Sequence, residues 1–330
     1  MVERRSNGGT ASQVGGPGRK RSDSDVVDYD TIASMFLTPP AEPIPVPDVP
    51  DTPARRLRDA LEPIATQGWW AREVYDGYET LGLQFFDGYV WGRAASMGTP
   101  PAGLVVAAFG VFEPAFLSGV YESGVAAVSR DDVLDARAAG ASGSLLRILG
   151  DDAGTVEEVA AVADTLHEAL HGLDATARPL FAGLRSLPLP DSPHGRLWRT
   201  GELVREHRGD GHLAACIAAG LDPVAMTVLT ELWLGYPAGM YLGSRGYGPD
   251  ALAVGLDRLA QRGWVGDGAL TDDGRAARLA IEEATDVTQA PLVAALGGGI
   301  DWIIERTSAW SALVVAGGSF PTDPRKRAAG

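Results

Sequence analysis

From residue 52 onward, apolar residues recur almost without interruption at the 3.6-residue period of an α-helix. The segments with this period are 72–83, 85–97, 101–123, 130–149, 155–173, 196–220, 223–235, 249–262, 273–284 and 298–316. Thr52 followed by Pro53 is a typical helix start, and Gly or Pro lies at the ends of nearly all the later segments. Alternation with the two-residue period of a strand is scarce. The sequence therefore predicts a mostly α protein.

One stretch has a more specific pattern. Residues 249–262 predict a helix, the RGWV sequence at its end predicts a strand, and Gly266-Asp267-Gly268 predicts a tight turn. The sequence ALTDDGR then opens another helix. Helix, strand, turn, strand and helix in this order form the core of a winged helix. The LTxxGR signature resembles the wing exit of MarR-type regulators and is formed by Leu270, Thr271, Gly274 and Arg275.

A weak internal repeat connects the two parts of the chain. Residues 87–121 align with residues 210–242, so that Asp87-Gly88 meets Asp210-Gly211 and Pro114 meets Pro237. The alternative is a chance match between two helix pairs rich in Ala and Gly. The repeat predicts tandem degenerate winged-helix (MarR-like) halves, with a short β-wing in the second half only.

The predicted domain organisation follows from these patterns. It comprises a disordered N-terminal extension over 1–51, a first helical half over 52–150, a connecting helix and linker over 151–195, a second winged-helix half with the C-terminal helix over 196–320, and a tail over 321–330. The extension is rich in Gly, Ser and Pro, a composition that cannot bury a core. Its apolar patch at 32–37 is interpreted as part of a linker, with docking on a partner as the alternative.

Charge and cysteine content narrow the function classes. The formal net charge is −15, so the chain lacks the excess of positive charge that attracts nucleic acid, and binding to anionic membrane surfaces is disfavoured. Cys216 is the one cysteine, which excludes an internal disulfide and fits a reducing cytoplasm. No apolar run approaches the roughly 20 residues that span a bilayer. We therefore expect a cytoplasmic protein without nucleic-acid or membrane partners.

The candidate catalytic residues lie in the polar run 206–212, which interrupts an apolar helical pattern. His207 and Asp210 are helical i, i+3 neighbours, and a carboxylate that fixes the imidazole tautomer makes a plausible acid–base couple. His212 is the second candidate base. Gly209 and Gly211 each cost about 1 kcal/mol in a helix, which predicts a close approach by a ligand or a crossing helix. The alternative is a purely structural His–Asp hydrogen bond.

Four further polar residues are candidate ligand-binding groups. Tyr89 occupies the repeat position of His212, and Arg208 lies one helical turn before His212. Arg93 and Glu231 sit within apolar helical faces, where an unpaired charge is costly. We predict that Arg93, His207, Asp210, His212 and Glu231 converge on one cavity between the halves. The alternative is a buried Arg93–Glu113 or Arg93–Glu231 ion pair.

His167-Glu168-Ala169-Leu170-His171 matches the zinc motif H-E-x-x-H. The third histidine of the metzincin pattern is absent, because Ala177 stands at its position. We interpret the match as accidental and expect no metal, and a zinc-dependent hydrolase remains the second alternative function. No phosphate-binding or dinucleotide-binding glycine pattern occurs, so the sequence predicts no cofactor.

Several long phrases resemble an actinobacterial family usually labelled helix-turn-helix or SalK-like. They include TPARRLRDALEPI, GYVWGRAASMG, FGVFEPAFLSGVYE, REHRGDGHLAAC, GLDPVAMTVLTELWLG and LTDDGR, and the resemblance covers about residues 52–322. It implies a helix-turn-helix fold and a place in specialised-metabolite biosynthesis, and it brings no catalytic mechanism with it. The leading hypothesis is a small-molecule-binding protein or cofactor-independent enzyme. The rival is a MarR-like, ligand-responsive transcription regulator that binds DNA as a homodimer.

Overall fold

The computed structural model describes residues 28–38, 42 and 45–328. Its first helices are α1 (Tyr29–Phe36), α2 (Pro53–Ala65), α3 (Gln67–Trp70), α4 (Arg72–Thr80), α5 (Phe85–Ala94), α6 (Ala102–Phe109), α7 (Pro114–Ala127), α8 (Arg130–Leu149), α9 (Ala153–His171) and α10 (Pro179–Arg185). They are followed by α11 (Pro193–Ala218), α12 (Pro223–Leu234), α13 (Met240–Gly243), α14 (Pro249–Gln261), α15 (Asp272–Val287), α16 (Ala290–Leu296), α17 (Ile300–Ala316) and α18 (Pro324–Ala328). Short 3-10 turns occupy Ala95–Met97 and Gly297–Gly299. The prediction of a mostly α protein is confirmed.

The helix starts are set by local capping chemistry. The side chain of Thr52 accepts the N–H of Arg55 at 3.0 Å, and Pro53 stands at the first position of α2. Asp222 and Thr271 cap α12 and α15 in the same way. Each cap satisfies an N–H that has no partner inside its own helix. The predicted helix start at Thr52 is confirmed.

The predicted wing is a two-stranded antiparallel sheet. Strands β1 (Val265–Gly266) and β2 (Ala269–Leu270) pair Val265 with Leu270. The two turn residues have φ values of +50° at Asp267 and +75° at Gly268, as in a type I′ hairpin turn. Gly274 lets α15 begin against the strand, because a Cβ there would lie 2.1 Å from the carbonyl oxygen of Trp264. The order of helix, strand, turn, strand and helix is confirmed.

Two hydrophobic cores share the long helix α11. The larger core takes residues from α2 to α10, from the first half of α11, and from α16 and α17. The smaller core takes residues from the end of α11, from α12 to α14, from the wing and from α15. The predicted second half, 196–320, includes α16 and α17, but their buried residues, including Leu292, Ile303 and Val314, belong to the larger core. The chain thus returns to its first core after completing the wing.

The structure differs from the predicted N-terminal disorder at α1. Tyr29 is buried, its hydroxyl donates to the carbonyl of Trp70 at 2.8 Å, and its ring lies 4.9 Å from that of Tyr75. Phe36 contacts Trp70 edge-on at 5.9 Å. Helix α1 therefore packs on the body of the chain itself through Tyr29 and Phe36. Residues 1–27, 39–41 and 43–44 of the predicted extension, and 329–330 of the predicted tail, lie outside the described residues.

No single helix in the described part of the chain is long and apolar enough to cross a membrane. Two helix pairs pass the length and composition test together, and both are bent at the break. They are Pro193–Ala218 with Pro223–Leu234 and Asp272–Val287 with Ala290–Ala316.

A buried ion network joins α2, α11 and α15. The carboxylate of Glu282 accepts Arg55 Nη1 at 3.0 Å and Arg208 Nη2 at 2.7 Å, and it lies 2.6 Å from Arg278 Nη1. Burial opposes ionisation of Glu282, but Arg278 and Arg208 hold its pKa well below the usual range. Three helices are therefore fixed around one carboxylate.

We expect Glu282→Gln to lower the free energy of unfolding by about 3–5 kcal/mol, because buried arginines would lose their counter-charge. Chemical denaturation at pH 7 measures this change. Glu283→Gln is the matched control, since Glu283 is exposed on the same helix and should change stability by less than about 0.5 kcal/mol. Equal stabilities of the two variants would contradict the role given to the network.

Candidate functional site

Two adjoining chambers lie between the cores. The outer chamber has a cavity volume of about 160 Å³, and the inner chamber has one of about 120 Å³. The walls of the outer chamber are mostly aromatic and include Phe36, Trp69, Trp70, Phe85, Phe86, Tyr89, Phe112, Tyr241 and Phe320. The inner chamber is more polar and includes Arg93, Asp210, His212, Thr227 and Thr230. Apolar walls with a few convergent polar groups are typical of small-molecule sites.

The two chambers share five wall residues and therefore adjoin, and together they are called the cavity. These residues are Tyr89, Phe112, Arg205, Tyr241 and Arg245. Tyr89 comes from α5 and Arg205 from α11, whereas Tyr241 and Arg245 come from α13 and the turn that follows it. Each chamber is therefore bounded by elements that are distant in the sequence.

Arg93 is paired with Glu206, and both predicted alternatives for its partner are wrong. Arg93 Nε and Nη2 donate to the two oxygens of Glu206 at 2.9 and 2.8 Å. Burial lowers the pKa of Arg93, but Glu206 more than reverses this and keeps the guanidinium charged. Glu113 caps α7 and Glu231 caps α13, so neither reaches Arg93. One side of the inner chamber is thus a neutralised ion pair.

The predicted His207–Asp210 couple is wrong, because the two side chains have different partners. His207 Nδ1 lies 2.8 Å from Gln289 Oε1, and the ring contacts Phe181 edge-on at 4.9 Å. Burial lowers the pKa of His207 to about 4, so the ring is neutral at pH 7. His207 lines neither chamber.

Asp210 faces the inner chamber with one unpaired oxygen. Its Oδ2 accepts the backbone N–H of Phe181 at 3.1 Å, while Oδ1 is buried without a hydrogen-bond partner. Burial, reinforced by the nearby carboxylate of Glu206, raises the pKa of Asp210 to about 7. Arg93 and Arg178 act in the opposite direction but less strongly. A buried carboxyl that titrates near neutrality is a typical mark of a functional site.

His212 lines the inner chamber, and its protonation state follows from its partners. Thr285 donates its hydroxyl to the carbonyl of Ile281, so it accepts Nδ1–H of His212 at 2.9 Å. The remaining nitrogen, Nε2, lies 3.6 Å from the thiol of Cys216. Burial lowers the pKa of His212 to about 3 and raises that of Cys216 to about 11. The pair is therefore neutral at pH 7.

Arg208 and Glu231 do not contact the cavity, in contrast to their predicted ligand-binding roles. Arg208 belongs to the buried network around Glu282 and also donates to Asp286 at 3.2 Å. Glu231 accepts the backbone N–H groups of Tyr241 and Leu242 at 2.7 and 3.0 Å. The structure thus brings Tyr89, Arg93, Asp210 and His212 together, and leaves out His207, Arg208 and Glu231.

Two cations of the outer chamber were not predicted as site residues. The guanidinium of Arg245 lies 4.9 Å from the ring of Phe112 and 4.6 Å from that of Tyr241. Lys326 Nζ lies 3.7 Å from the ring of Phe36. Arg245 lies outside the polar run 206–212, and Lys326 lies in the predicted tail, where no sequence signal points to a site.

The H-E-x-x-H motif lies on α9. The rings of His167 and His171 are 6.5 Å apart, and His171 is exposed at the end of the helix. Within the residues that the structure describes, no group of three or more His, Cys, Asp or Glu side chains is placed to hold a metal ion. Among the described residues, no third side chain therefore joins His167 and His171 to hold the zinc ion that the hydrolase alternative requires.

A family model described as a helix-turn-helix family matches residues 54–321. The chain belongs to this helix-turn-helix family. The match spans both cores, the wing and nearly all of the cavity wall. No curated protein and no solved structure matches the chain. The helix-turn-helix part of the resemblance stated above is therefore confirmed.

Protonation of Asp210 predicts a pH-dependent stability difference. In the folded chain Asp210 keeps its proton up to about pH 7, whereas in the unfolded chain it releases it near 3.8. The contribution of Asp210 to the free energy of unfolding therefore falls as pH rises from about 4 to 7, and it is constant above pH 7.

We expect Asp210→Asn to remove this dependence. The free energy of unfolding of the variant, minus that of the wild type, should rise by about 2 kcal/mol between pH 5 and pH 8. Urea denaturation at both pH values measures the difference, and the contributions of the histidines cancel in it. Asp257→Asn, at an exposed position, is the control. A difference that does not change with pH would contradict the protonated state of Asp210.

Proposed function

We propose that this helix-turn-helix protein binds a small molecule in the cavity formed by the outer and inner chambers. The observation that carries the proposal is the composition of the wall. Aromatic residues surround polar groups that have no full set of protein partners, namely Asp210 Oδ1 and Arg245 Nε. Buried polar groups are normally satisfied, so unsatisfied groups beside a cavity favour a ligand that completes their hydrogen bonding.

The proposal includes the finer family assignment, a SalK-like protein with tandem MarR-like halves. The aligned segments differ by 123 positions, since 210 − 87 = 123. With this offset α6 (Ala102–Phe109) corresponds to residues 225–232, which lie inside α12, and α5 corresponds to residues 208–217, which lie inside α11. These coincidences support a duplication. The correspondence ends near Pro114, because α7 would align with residues 237–250, where the short α13, turns and the start of α14 lie. Superposition of 87–121 on 210–242 tests the duplication, and backbones that diverge beyond a single shared helix would count against it.

A cofactor-independent enzymatic role in specialised metabolism would depend on Asp210. His212 is engaged on both ring nitrogens, and His207 does not line the cavity. Asp210 combines an unpaired oxygen at the inner chamber with a pKa that burial raises to about 7. A general acid or base works best when its pKa is close to the working pH. Turnover that survives unchanged in Asp210→Asn would refute this role.

The charges on the surface around the smaller core do not favour the rival function, a DNA-binding regulator. In a winged helix, the recognition helix comes directly before the wing, and α14 has this position. Its Arg258 is paired with Asp222 at 2.8 Å, and the adjacent Arg262 donates to backbone carbonyls of Ala219 and Gly220. The other exposed charged groups of α14 and the wing are carboxylates at Asp250, Asp257 and Asp267. This surface would repel phosphates.

We therefore expect no DNA affinity tighter than about 10⁻⁵ M at physiological salt, the range of non-specific binding. Fluorescence anisotropy with random and genomic duplexes, repeated at low salt, measures this affinity. Arg258→Ala is measured in parallel, because it removes a basic side chain from α14 and should leave the DNA affinity unchanged. Nanomolar, sequence-dependent binding that Arg258→Ala abolishes would favour the regulator.

Blocking the cavity should abolish ligand binding. Ser244 lines the outer chamber, and Ser244→Trp would fill it with an indole ring. Ser308→Trp is the control, because Ser308 is exposed on α17 and lines neither chamber. We expect native mass spectrometry to detect a co-purified molecule, or a bound aromatic probe, in the wild type and in Ser308→Trp but not in Ser244→Trp. Identical occupancy in all three proteins would place the ligand elsewhere.

A further inference from the structure

The charges of the outer chamber are unbalanced. Its charged side chains are Glu62, Arg205, Arg245 and Lys326. Arg205 lies 3.5 Å from Glu62 and 3.3 Å from Glu206, and Glu62 is also 3.5 Å from Arg58. The carboxylates near the chamber are therefore already engaged by other arginines.

Arg245 and Lys326 have no such partner. Among the described residues, no carboxylate lies within 4.0 Å of either cationic group. Arg245 Nη2 donates to the hydroxyl of Tyr241 at 2.9 Å, while Arg245 Nε is buried without a hydrogen-bond partner. The two cations lie near one ring, since Arg245 Cζ is 4.6 Å and Lys326 Nζ 5.8 Å from the centroid of Tyr241.

This arrangement is costly without a ligand. Aromatic faces compensate a cation only in part, by about 0.5–2 kcal/mol. Two like charges around one ring also repel each other, and burial together with Arg245 lowers the pKa of Lys326 to about 7. Lys326 is therefore only partly protonated at pH 7, and a bound anion would favour its charged form. Because the chain as a whole carries a charge of −15, this local excess of positive charge is not a general property of the protein.

We propose that the outer chamber binds an anionic molecule with a flat apolar body, and that Arg245 and Lys326 bind its negative group. This inference rests on the proposed function and names the class of ligand. The apolar body would lie among the rings of Trp69, Tyr89 and Phe112, which line the same chamber. A guanidinium offers paired N–H donors that match a carboxylate, and an ammonium adds a compact charge. A cationic ligand would meet like charges, and a neutral one would leave both cations unpaired.

The test compares two probes of nearly the same size and shape, the anionic 2-naphthoate and the neutral 2-naphthamide. Trp69 and Trp70 line the chamber, so tryptophan fluorescence of the full chain reports binding. We expect the wild type to bind naphthoate at least tenfold more tightly than naphthamide. Arg245→Met and Lys326→Met should each weaken naphthoate binding at least tenfold and leave naphthamide binding unchanged.

Arg325→Met is the matched control, because Arg325 lies on the same short helix as Lys326, is paired with Asp323 at 2.8 Å and does not line the chamber. It should leave the affinities for both probes unchanged. If Arg245→Met does not fold, as judged by circular dichroism, Lys326→Met decides alone, because methionine keeps an apolar side chain of similar length at this partly buried position.

The outcomes separate the two proposals. Equal binding of naphthoate and naphthamide, or naphthoate binding that survives both substitutions, would overturn the anionic class while leaving a small-molecule site in place. Absence of binding by either probe, together with no difference between the wild type and Ser244→Trp for any ligand, would count against the proposed function itself. Selective loss of naphthoate binding in Arg245→Met and Lys326→Met supports the inference.

Discussion

The structure depends on how α11 satisfies the charges that it carries into the interior. Along α11, Glu202, Glu206 and Arg208 are fully or almost fully buried, and each is paired with a different helix. Glu202 meets Arg137 of α8, Glu206 meets Arg93 of α5, and Arg208 meets Glu282 of α15. A buried charge without a partner would cost several kcal/mol, so these pairs specify which face of α11 meets which neighbour. Both cores are thereby attached to one helix.

The same helix forms the inner wall of the cavity, and the two glycines of its polar run, Gly209 and Gly211, serve different purposes. At Gly211 a Cβ would lie 2.4 Å from Thr288 Oγ1, so this glycine admits the end of α15. Gly209 lines the inner chamber beside Asp210, and the nearest atom to a Cβ there would be Glu206 Oε2, at an ordinary contact distance of 3.6 Å. The sequence predicted a close approach at both positions. The structure shows that one of them is a crossing segment and the other a cavity wall.

Local features could be predicted from the sequence, whereas long-range pairing could not. Periodicity, caps and the wing depend on residues a few positions apart, and all three were confirmed. The partner of Arg93 is 113 positions away, and nothing local distinguishes Glu206 from Glu113 or Glu231 as a candidate. Glu231 looked like a ligand-binding group because a carboxylate that accepts backbone N–H groups has the same sequence signature. Lys326 lies in a tail without periodicity, so only the fold places it in the outer chamber.

The distribution of charge connects the candidate site with the scaffold. Charges more than about 8–10 Å apart are screened at physiological salt, so the acidic exterior acts weakly on a buried cavity. Within the outer chamber the nearby cations Arg245 and Lys326 therefore dominate. On the exposed face of α14, the nearby carboxylates of Asp250 and Asp257 dominate instead. The exposed face of α14 thus has the sign of charge that repels a phosphate backbone, whereas the outer chamber has the sign that suits the anionic ligand we propose. If the proposed function holds, α11, α12 and α13 serve the protein by closing one side of the cavity.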